Sequence, residues 1–524
     1  MVRRTITPSD QAKDILPHAV YPLVAQLRAG TGLADQPIEL LAADTRADGD
    51  VYALLRLGDC TGILVVTLSG RPVEQFQHLV GTNGWIRADY ITGSLTHLPG
   101  PGAGLGVLFT PYRRAIQTLT GATAGFAKLI FKRSTSYPGL ELLTGRFYNA
   151  IRCGERSPLT PQSIVDTVGI CESIGHALDR SDAESEATAQ RQVLEAETTL
   201  PPVTRGMVLV TGGTGLLGRK VVEELRWAGF GVRTINRRVP RWRVRVPGVE
   251  YVAGDLARPL DPAAMQGVSL VAHCAAETAG GKSDHVRNSI DATRNVIEAA
   301  ARAGVRELVH TSSLAVLKPG RDVGGQLDEQ TPVDANNLGR GPYVWGKAES
   351  EGIVRQLGEQ HGIRVRIIRP GPLVDFAEFT PPGRLGRELG PVFVAIGGRG
   401  SPLSVCDIGT AARVIRSYAQ DMNAAPPLLN LVEAPPPTRM QLADRLRKDR
   451  PDLWFFWFPA WLLRALSGPL KLVQRLALGS DRPIDIYAAF ASEDYSTTLA
   501  QQVIVRAGDS VIRRDAVARE AVHA

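Results

Sequence analysis

The sequence predicts an α/β protein: a doubly wound parallel sheet over 206–375, a small C-terminal substrate lobe after it, and a separate α+β domain with an antiparallel sheet before it. Three observations predict this. From Met207 onward, short apolar runs alternate with helical stretches through short loops, the pattern of parallel strands joined by crossover helices. The first run ends in a glycine-dense turn that opens a helix at once, Thr211-Gly-Gly-Thr-Gly-Leu-Leu-Gly218. Upstream, strand-like runs follow one another in series between helices, and no glycine turn there follows a strand and opens a helix.

The 524 residues suffice for two to four domains, each with its own core. A chain that is 44% hydrophobic and 22% charged is globular in composition. Its net charge of +7 is spread along the chain, which leaves no footprint for nucleic acid and weakly favours small anionic ligands. Cysteines 60, 153, 171, 274 and 406 are far apart and lack metal-ligand spacing. They read as buried thiols in a reducing compartment, and no metal site is expected. The first residues lack the apolar run of a signal peptide. The longest apolar run, 453–463, contains Pro459 and stops at Arg464, too short to span a bilayer. A cytoplasmic location is the expectation.

Within 1–180, residues 11–30 have helical spacing, and 38–43, 51–57 and 62–68 alternate like strands. Further extended runs at 75–80 and 85–90 precede a glycine-proline loop at 98–106 and helical stretches at 111–131 and 161–178. The polar stretch 181–205, ending in Pro201-Pro202, reads as a linker that is helical in part. Gly81-Thr-Asn-Gly84-Trp-Ile-Arg-Ala-Asp89 and Phe147-Tyr-Asn-Ala-Ile-Arg-Cys-Gly154-Glu-Arg-Ser-Pro158-Leu-Thr-Pro161, with Asp14-Ile-Leu-Pro-His18, resemble the C-terminal domain of the Gfo/Idh/MocA oxidoreductases. That resemblance implies an open sheet covering a substrate, with His18 at the substrate site. The cofactor domain that precedes it in that family, with its glycine turn and catalytic lysine, is not found here, so the chain reads as a fragment or a decayed fusion.

From 206 the strands expected are 207–211, 232–236, 250–253, 270–274, 307–312 and 365–369, with helices at 217–228, 285–303 and 344–361. Ligands of such sheets sit beyond the carboxyl ends of the strands. Gly212, Gly215 and Gly218, with Thr214, Leu216 and Leu217 between and beside them, form a Rossmann-type dinucleotide turn. The glycines let the backbone turn tightly and approach a pyrophosphate, and the helix N-terminus offers free N–H groups. The second strand ends in Asn236, Arg237 and Arg238, where an acidic residue would take the ribose hydroxyl of NAD. Arginines there match a 2′-phosphate, so NADP is favoured over NAD. Asp255 and Leu256 are placed for the adenine edge and ring.

Ser312 and Ser313 end a strand, and Tyr343-Val-Trp-Gly-Lys347 opens a helix. Tyrosine and lysine four apart lie on one helical face, their Cβ atoms about 6 Å apart. The ammonium, with an oxidised nicotinamide, lowers the phenol pKa so that it exchanges a proton with a substrate hydroxyl near neutral pH, while a serine holds that oxygen.

These residues, with Gly254-Asp255-Leu256, Val271-Ala-His-Cys-Ala275-Ala276, Arg369-Pro370-Gly371 and Val405-Cys-Asp407-Ile, resemble the extended short-chain dehydrogenases/reductases, the NAD-dependent epimerase/dehydratase group, over about 207–500. The resemblance implies Tyr343 as acid/base, Lys347 as pKa modulator and ribose ligand, and Ser313 as substrate anchor, with Ser312 the alternative. It also implies Ala275 and Ala276 along the cofactor channel and Pro370, Gly371 and Leu373 at the nicotinamide. Two positions depart from the family pattern: Ser289 stands where an asparagine is common, beside Asn288, and Gly371-Pro-Leu-Val follows Arg369-Pro370. The implied activity is an NAD(P)-dependent epimerase, dehydratase or reductase on a small-molecule secondary alcohol or ketone, foremost a nucleotide sugar. An NADPH-dependent reductase of an apolar, steroid- or flavonoid-like ketone is the alternative, and a dinucleotide-sensing scaffold a third. A homodimer is left open. In the lobe, Arg384 and Arg387 suit a substrate phosphate or solvent, and 453–475, with Arg464, Lys471 and Arg475, suits a core or a peripheral membrane contact.

Overall fold

The computed structural model describes residues 8–31, 36–45, 50–68, 74–91, 94–100, 106–132, 138–155, 157, 161–323, 325–459, 461–462, 465 and 493–508. The chain divides into two units, Met1–Thr188 and Ala189–Ala524.

The first unit opens with α1 (Pro8–Thr31), which continues through Pro17 and Pro22. There follow β1 (Glu39–Thr45), β2 (Val51–Leu57), β3 (Cys60–Val66), β4 (Phe76–Gly81), β5 (Gly84–Asp89), β6 (Ser94–Pro99), α2 (Gly106–Lys132), α3 (Pro138–Cys153) and α4 (Pro161–Thr198). The alternation read in 51–57 turns Val51, Ala53, Leu55 and Leu57 inward. Leu16, Val20 and Val24 of α1 and Ile170, Ile174 and Leu178 of α4 pack over them. Where the resemblance implies one open sheet, the strands form two antiparallel three-stranded sheets, β1-β2-β3 and β4-β5-β6. Gly84 fits the hairpin because its φ is +133° and a Cβ there would sit 2.3 Å from the Leu98 carbonyl. Asp14 and His18 lie on α1 and are both exposed. β6 and α3 were not anticipated. The inward residues of β6 are Ser94, Thr96 and Leu98, mostly polar, so its period of two carried little hydrophobic contrast. The stretch 181–205, read as a linker, is helical as far as Thr198.

In the second unit, β7 (Met207–Thr211), α5 (Leu216–Trp227), β8 (Gly231–Asn236), β9 (Val249–Ala253), β10 (Val268–His273), α6 (Lys282–His285), α7 (Ala292–Arg302), β11 (Glu307–Thr311), α8 (Gly320–Val323), α9 (Pro342–Gln360) and β12 (Arg364–Pro370) follow in turn. β13 (Leu373–Val374), β14 (Gly386–Leu389), β15 (Val392–Ile396), β16 (Cys406–Asp407), α10 (Ile408–Gln420), β17 (Leu428–Leu431), α11 (Arg439–Asp449) and β18 (Trp454–Phe458) complete it. Seven parallel strands run in the order β17-β12-β11-β10-β7-β8-β9. Both faces are covered. Val208 and Val210 of β7 face one core with α5 and α10. Leu209 faces the other with Val296, Ile297, Val354 and Leu357. Double coverage explains why these strands are continuous apolar runs rather than alternating ones. The order reverses between β7 and β10, which opens the binding crevice at the carboxyl ends of those strands.

The lobe is a sheet β14-β15-β18 with α11, around Leu385, Phe393, Leu403, Leu442 and Leu453. Of the aromatic run, Phe455 and Trp457 pack on that cluster, while Trp454 and Phe456 point outward. Arg464, Lys471 and Arg475 lie outside the described residues.

Candidate active site

The glycine turn leaves β7 at Gly212, whose φ of +70° favours glycine. A Cβ at Gly218 would sit 2.0 Å from the Gly212 carbonyl, so the first turn of α5 rests on the turn backbone itself. Gly215 caps α5 and no side chain bonds to the helix end. The N–H groups there are thus free for an anion, and a dinucleotide pyrophosphate fits this cradle. Thr214 and Leu216 are exposed beside it and Leu217 is buried beneath.

At the end of β8, Asn236 donates to Thr234 Oγ1 at 2.7 Å and its Oδ1 accepts from Thr214 at 3.2 Å. Arg237 and Arg238 are exposed and form no ion pair among the described residues. Asp255 accepts from Arg287 at 2.6 Å and from the Ala257 amide at 3.1 Å. Burial raises its carboxyl, but the hydrogen bonds from Arg287 and the Ala257 amide, together with the charges of Arg287 and Arg258, hold it below its ordinary value. Leu256 O accepts from Asn295 at 2.9 Å, which anchors this loop to α7. Ala275 and Ala276 are half-buried beyond β10, and the Ala275 amide donates to Thr211 Oγ1 at 3.2 Å.

At the carboxyl end of β11, the two serines separate by role. Ser312 donates to buried Glu351 at 2.7 Å and is committed there. Ser313 accepts from the Ala315 amide at 3.2 Å, and it is the side chain that acts on the Tyr343 phenol. Ser313, not Ser312, is therefore the serine beside the phenol. Lys347 is buried and donates to the Thr311 carbonyl at 2.7 Å. Burial lowers its ammonium to about 8, against the opposing pull of Cys274 and Glu351. The ammonium does not lower the phenol here. Burial dominates and raises Tyr343 above its ordinary value, with the Ser313 hydroxyl working against it. Beyond β12, the Gly371 amide donates to the Leu431 carbonyl at 2.9 Å, and Leu373 pairs with Cys406 of β16. This fixes the Pro370–Leu373 corner at the same edge.

Several site residues were missed from the sequence. Glu351, one turn beyond Lys347, bonds Arg369 through two oxygens at 2.6 and 3.0 Å. Its spacing from Lys347 was available, but a carboxylate on a helix reads as solvated. His273 bridges Thr211 and Thr293 at 2.7 and 2.9 Å and stacks on His310 at 5.4 Å. Burial, then Lys347, lowers His273 to about 3, and burial takes His310 well below its ordinary value. His285, also buried, meets the Tyr343 ring edge-on at 6.3 Å, and its Nδ1 has no hydrogen-bond partner among the described residues. Ser289 accepts from the Glu277 amide at 2.9 Å, and Asn288 donates to the Glu277 carboxylate at 2.8 Å, within a π-helical turn, Val286–Asp291.

Residues 208–413 match the model of the NAD dependent epimerase/dehydratase family. The chain is similar to a 3 beta-hydroxysteroid dehydrogenase/Delta 5-->4-isomerase of Mycobacterium tuberculosis, 36% identical over 177 residues that cover 32% of this chain and 46% of that protein. It is also similar to a sterol-4-alpha-carboxylate 3-dehydrogenase, decarboxylating, of Bos taurus, 37% identical over 117 residues covering 22% of this chain and 32% of that protein. It thus spans less than half the length of these curated relatives. A solved UDP-glucuronic acid 4-epimerase from Bacillus cereus in complex with NAD superposes with a TM-score of 0.40 and 16% identity, covering 48% of this chain and 87% of that one. The doubly wound segment 208–413 carries a domain of the NAD dependent epimerase/dehydratase family.

Proposed function

We propose that the chain is an NAD(P)-dependent oxidoreductase that interconverts a secondary alcohol and a ketone. The observation that carries this reading is the set Tyr343, Ser313 and Lys347, on the sheet edge where the glycine turn lies. A nicotinamide dinucleotide supplies the hydride. Gly212, Thr214, Gly215, Leu216, Leu217 and Gly218 would hold its pyrophosphate, and Asn236, Arg237 and Arg238 its adenosine ribose. Asp255 and Leu256 would border the adenine, Ala275 and Ala276 the channel, and Pro370, Gly371 and Leu373 the reactive ring. The unpaired Arg237 and Arg238 support NADP over NAD. Ser313 holds the substrate oxygen, and the Tyr343 hydroxyl exchanges the proton with it. Burial keeps that phenol protonated at neutral pH, the state suited to donating to a nascent alkoxide during reduction. Lys347, tied to Thr311, fixes the helix turn beneath.

An apolar ring-bearing substrate is supported by the hydroxysteroid and sterol names of the curated relatives. A nucleotide sugar is the second reading, favoured by the family description and by Arg384 and Arg387 in the lobe. Purified chain is to be incubated with hydroxysteroids and with UDP-sugars while the nicotinamide band near 340 nm is followed. Net NADPH change with the steroid supports the first reading, and product without net change supports the second. Tyr343→Phe is expected to lose about 10²–10⁴-fold in turnover at unchanged dinucleotide affinity. Unchanged turnover would overturn the catalytic reading in favour of a scaffold.

A further inference from the structure

Helix α2 is turned inside out. Over 109–123 it leans on its own sheet through Thr110, Gln117 and Gly121, which are half-buried. Gln117 accepts from the His97 amide at 3.0 Å, and a Cβ at Gly121 would sit 2.8 Å from Ser94 Cβ. These inward residues are polar or small. The large apolar ones point away: Phe109, Tyr112, Ile116 and Leu119 are 63–70% exposed. Their spacing of three and four puts them on one continuous stripe. A globular helix buries such a stripe, so this one is built for something outside the unit.

The charge pattern says what. From Tyr90 to Leu140 the sequence holds no Asp or Glu, while Arg113, Arg114, Lys128, Lys132 and Arg133 lie within it. Arg113 is exposed on the flank of the stripe, whereas Arg114 turns to the sheet side, its guanidinium 5.6 Å from the Trp85 ring. A second copy of the same surface would set these cations against each other, whereas a plane of anionic headgroups complements them. Aromatic and aliphatic side chains sink to the acyl boundary, and arginines stay at the phosphates. Among the described residues no helix is long and apolar enough to cross a bilayer, so the helix would lie flat. We propose that α2 docks the first unit on an anionic lipid surface through Phe109, Tyr112, Ile116 and Leu119, flanked by Arg113 in a segment free of acidic residues. This is independent of the catalytic reading.

The test is flotation of the full chain with vesicles of phosphatidylcholine alone and of phosphatidylcholine with phosphatidylglycerol. The expected result is flotation with the anionic vesicles only, weakened by salt. Arg113→Glu, a change of two charge units, should lower the partition about 30-fold, from about 0.7 of a decimal order per charge unit. Phe109→Ser with Leu119→Ser should abolish it. Ile63→Glu, at an apolar side chain 72% exposed on the other sheet, should bind like wild type and is the control for non-specific stickiness. All variants should keep their dinucleotide affinity, which reads the second unit. The proposal is overturned if wild type stays unbound, if Ile63→Glu loses as much as the stripe variants, or if the stripe instead holds a dimer that Phe109→Ser with Leu119→Ser dissociates.

Discussion

Glu351 is 1% exposed, and its carboxylate collects Ser312, Arg355 and both nitrogens of Arg369 that face it. Removing one partner of a buried pair strands the other, so Glu351→Ala should cost about 3–5 kcal/mol in urea unfolding. The buried histidines act on stability through pH. His273 stays neutral in the folded state down to about 3, whereas the unfolded chain takes up a proton below about 6.5. Stability is therefore full above that value and falls as pH drops through it, by about 2 kcal/mol at pH 5 for this ring. His310, whose ring nitrogens have no hydrogen-bond partner among the described residues, pulls the same way. The loss in unfolding free energy between pH 7 and pH 5 should be smaller for His310→Leu than for wild type. At this scale the sequence showed Tyr343 and Lys347 because four residues make one helical turn. It hid His273 and His310, which become neighbours only when β10 and β11 pair in register.

The glycine turn was legible as an element because its chemistry is local: three glycines, a strand before and a helix after. Gly218→Ala would press a methyl against the Gly212 carbonyl, where backbone rather than a flexible side chain is the obstacle. A loss of about 1–3 kcal/mol is expected in urea unfolding, with weakened NADPH binding in a fluorescence titration. Retained affinity would mean that the cradle is not where the pyrophosphate sits. Six of the seven parallel strands were readable to within two residues, since each is a buried apolar run closed by a turn, whereas β17 was given no bounds. The helix expected at 285–303 is broken by the π-helical turn, which repositions Ser289 and Asn288 toward Glu277 and has no period of its own to detect.

Each unit has its own core, one around Leu16, Leu55 and Ile174 and another around Val210, Leu225 and Leu429. Calorimetry of the whole chain is expected to show two transitions, and saturating NADPH should raise only that of 189–524. At a hundredfold excess over Kd the rise is worth about 2.7 kcal/mol. One transition that moves as a whole would refute this division. The two-part organisation was legible from the change of pattern near 200, but the extent of α4 was not. Its second half is polar all round, and such a stretch reads equally as linker or helix.

Arg416 is wholly buried on α10, where its guanidinium donates at 2.7 Å to Glu224 of α5 and at 2.7 Å to the Ala507 carbonyl. That carbonyl belongs to a helical segment, 498–508, made 91 residues after the arginine. During translation the dinucleotide half thus emerges with this buried cation lacking one of its partners, which arrives when 498–508 is made. Synthesis order makes the closure over α10 a late step in assembling the half that starts with the glycine turn.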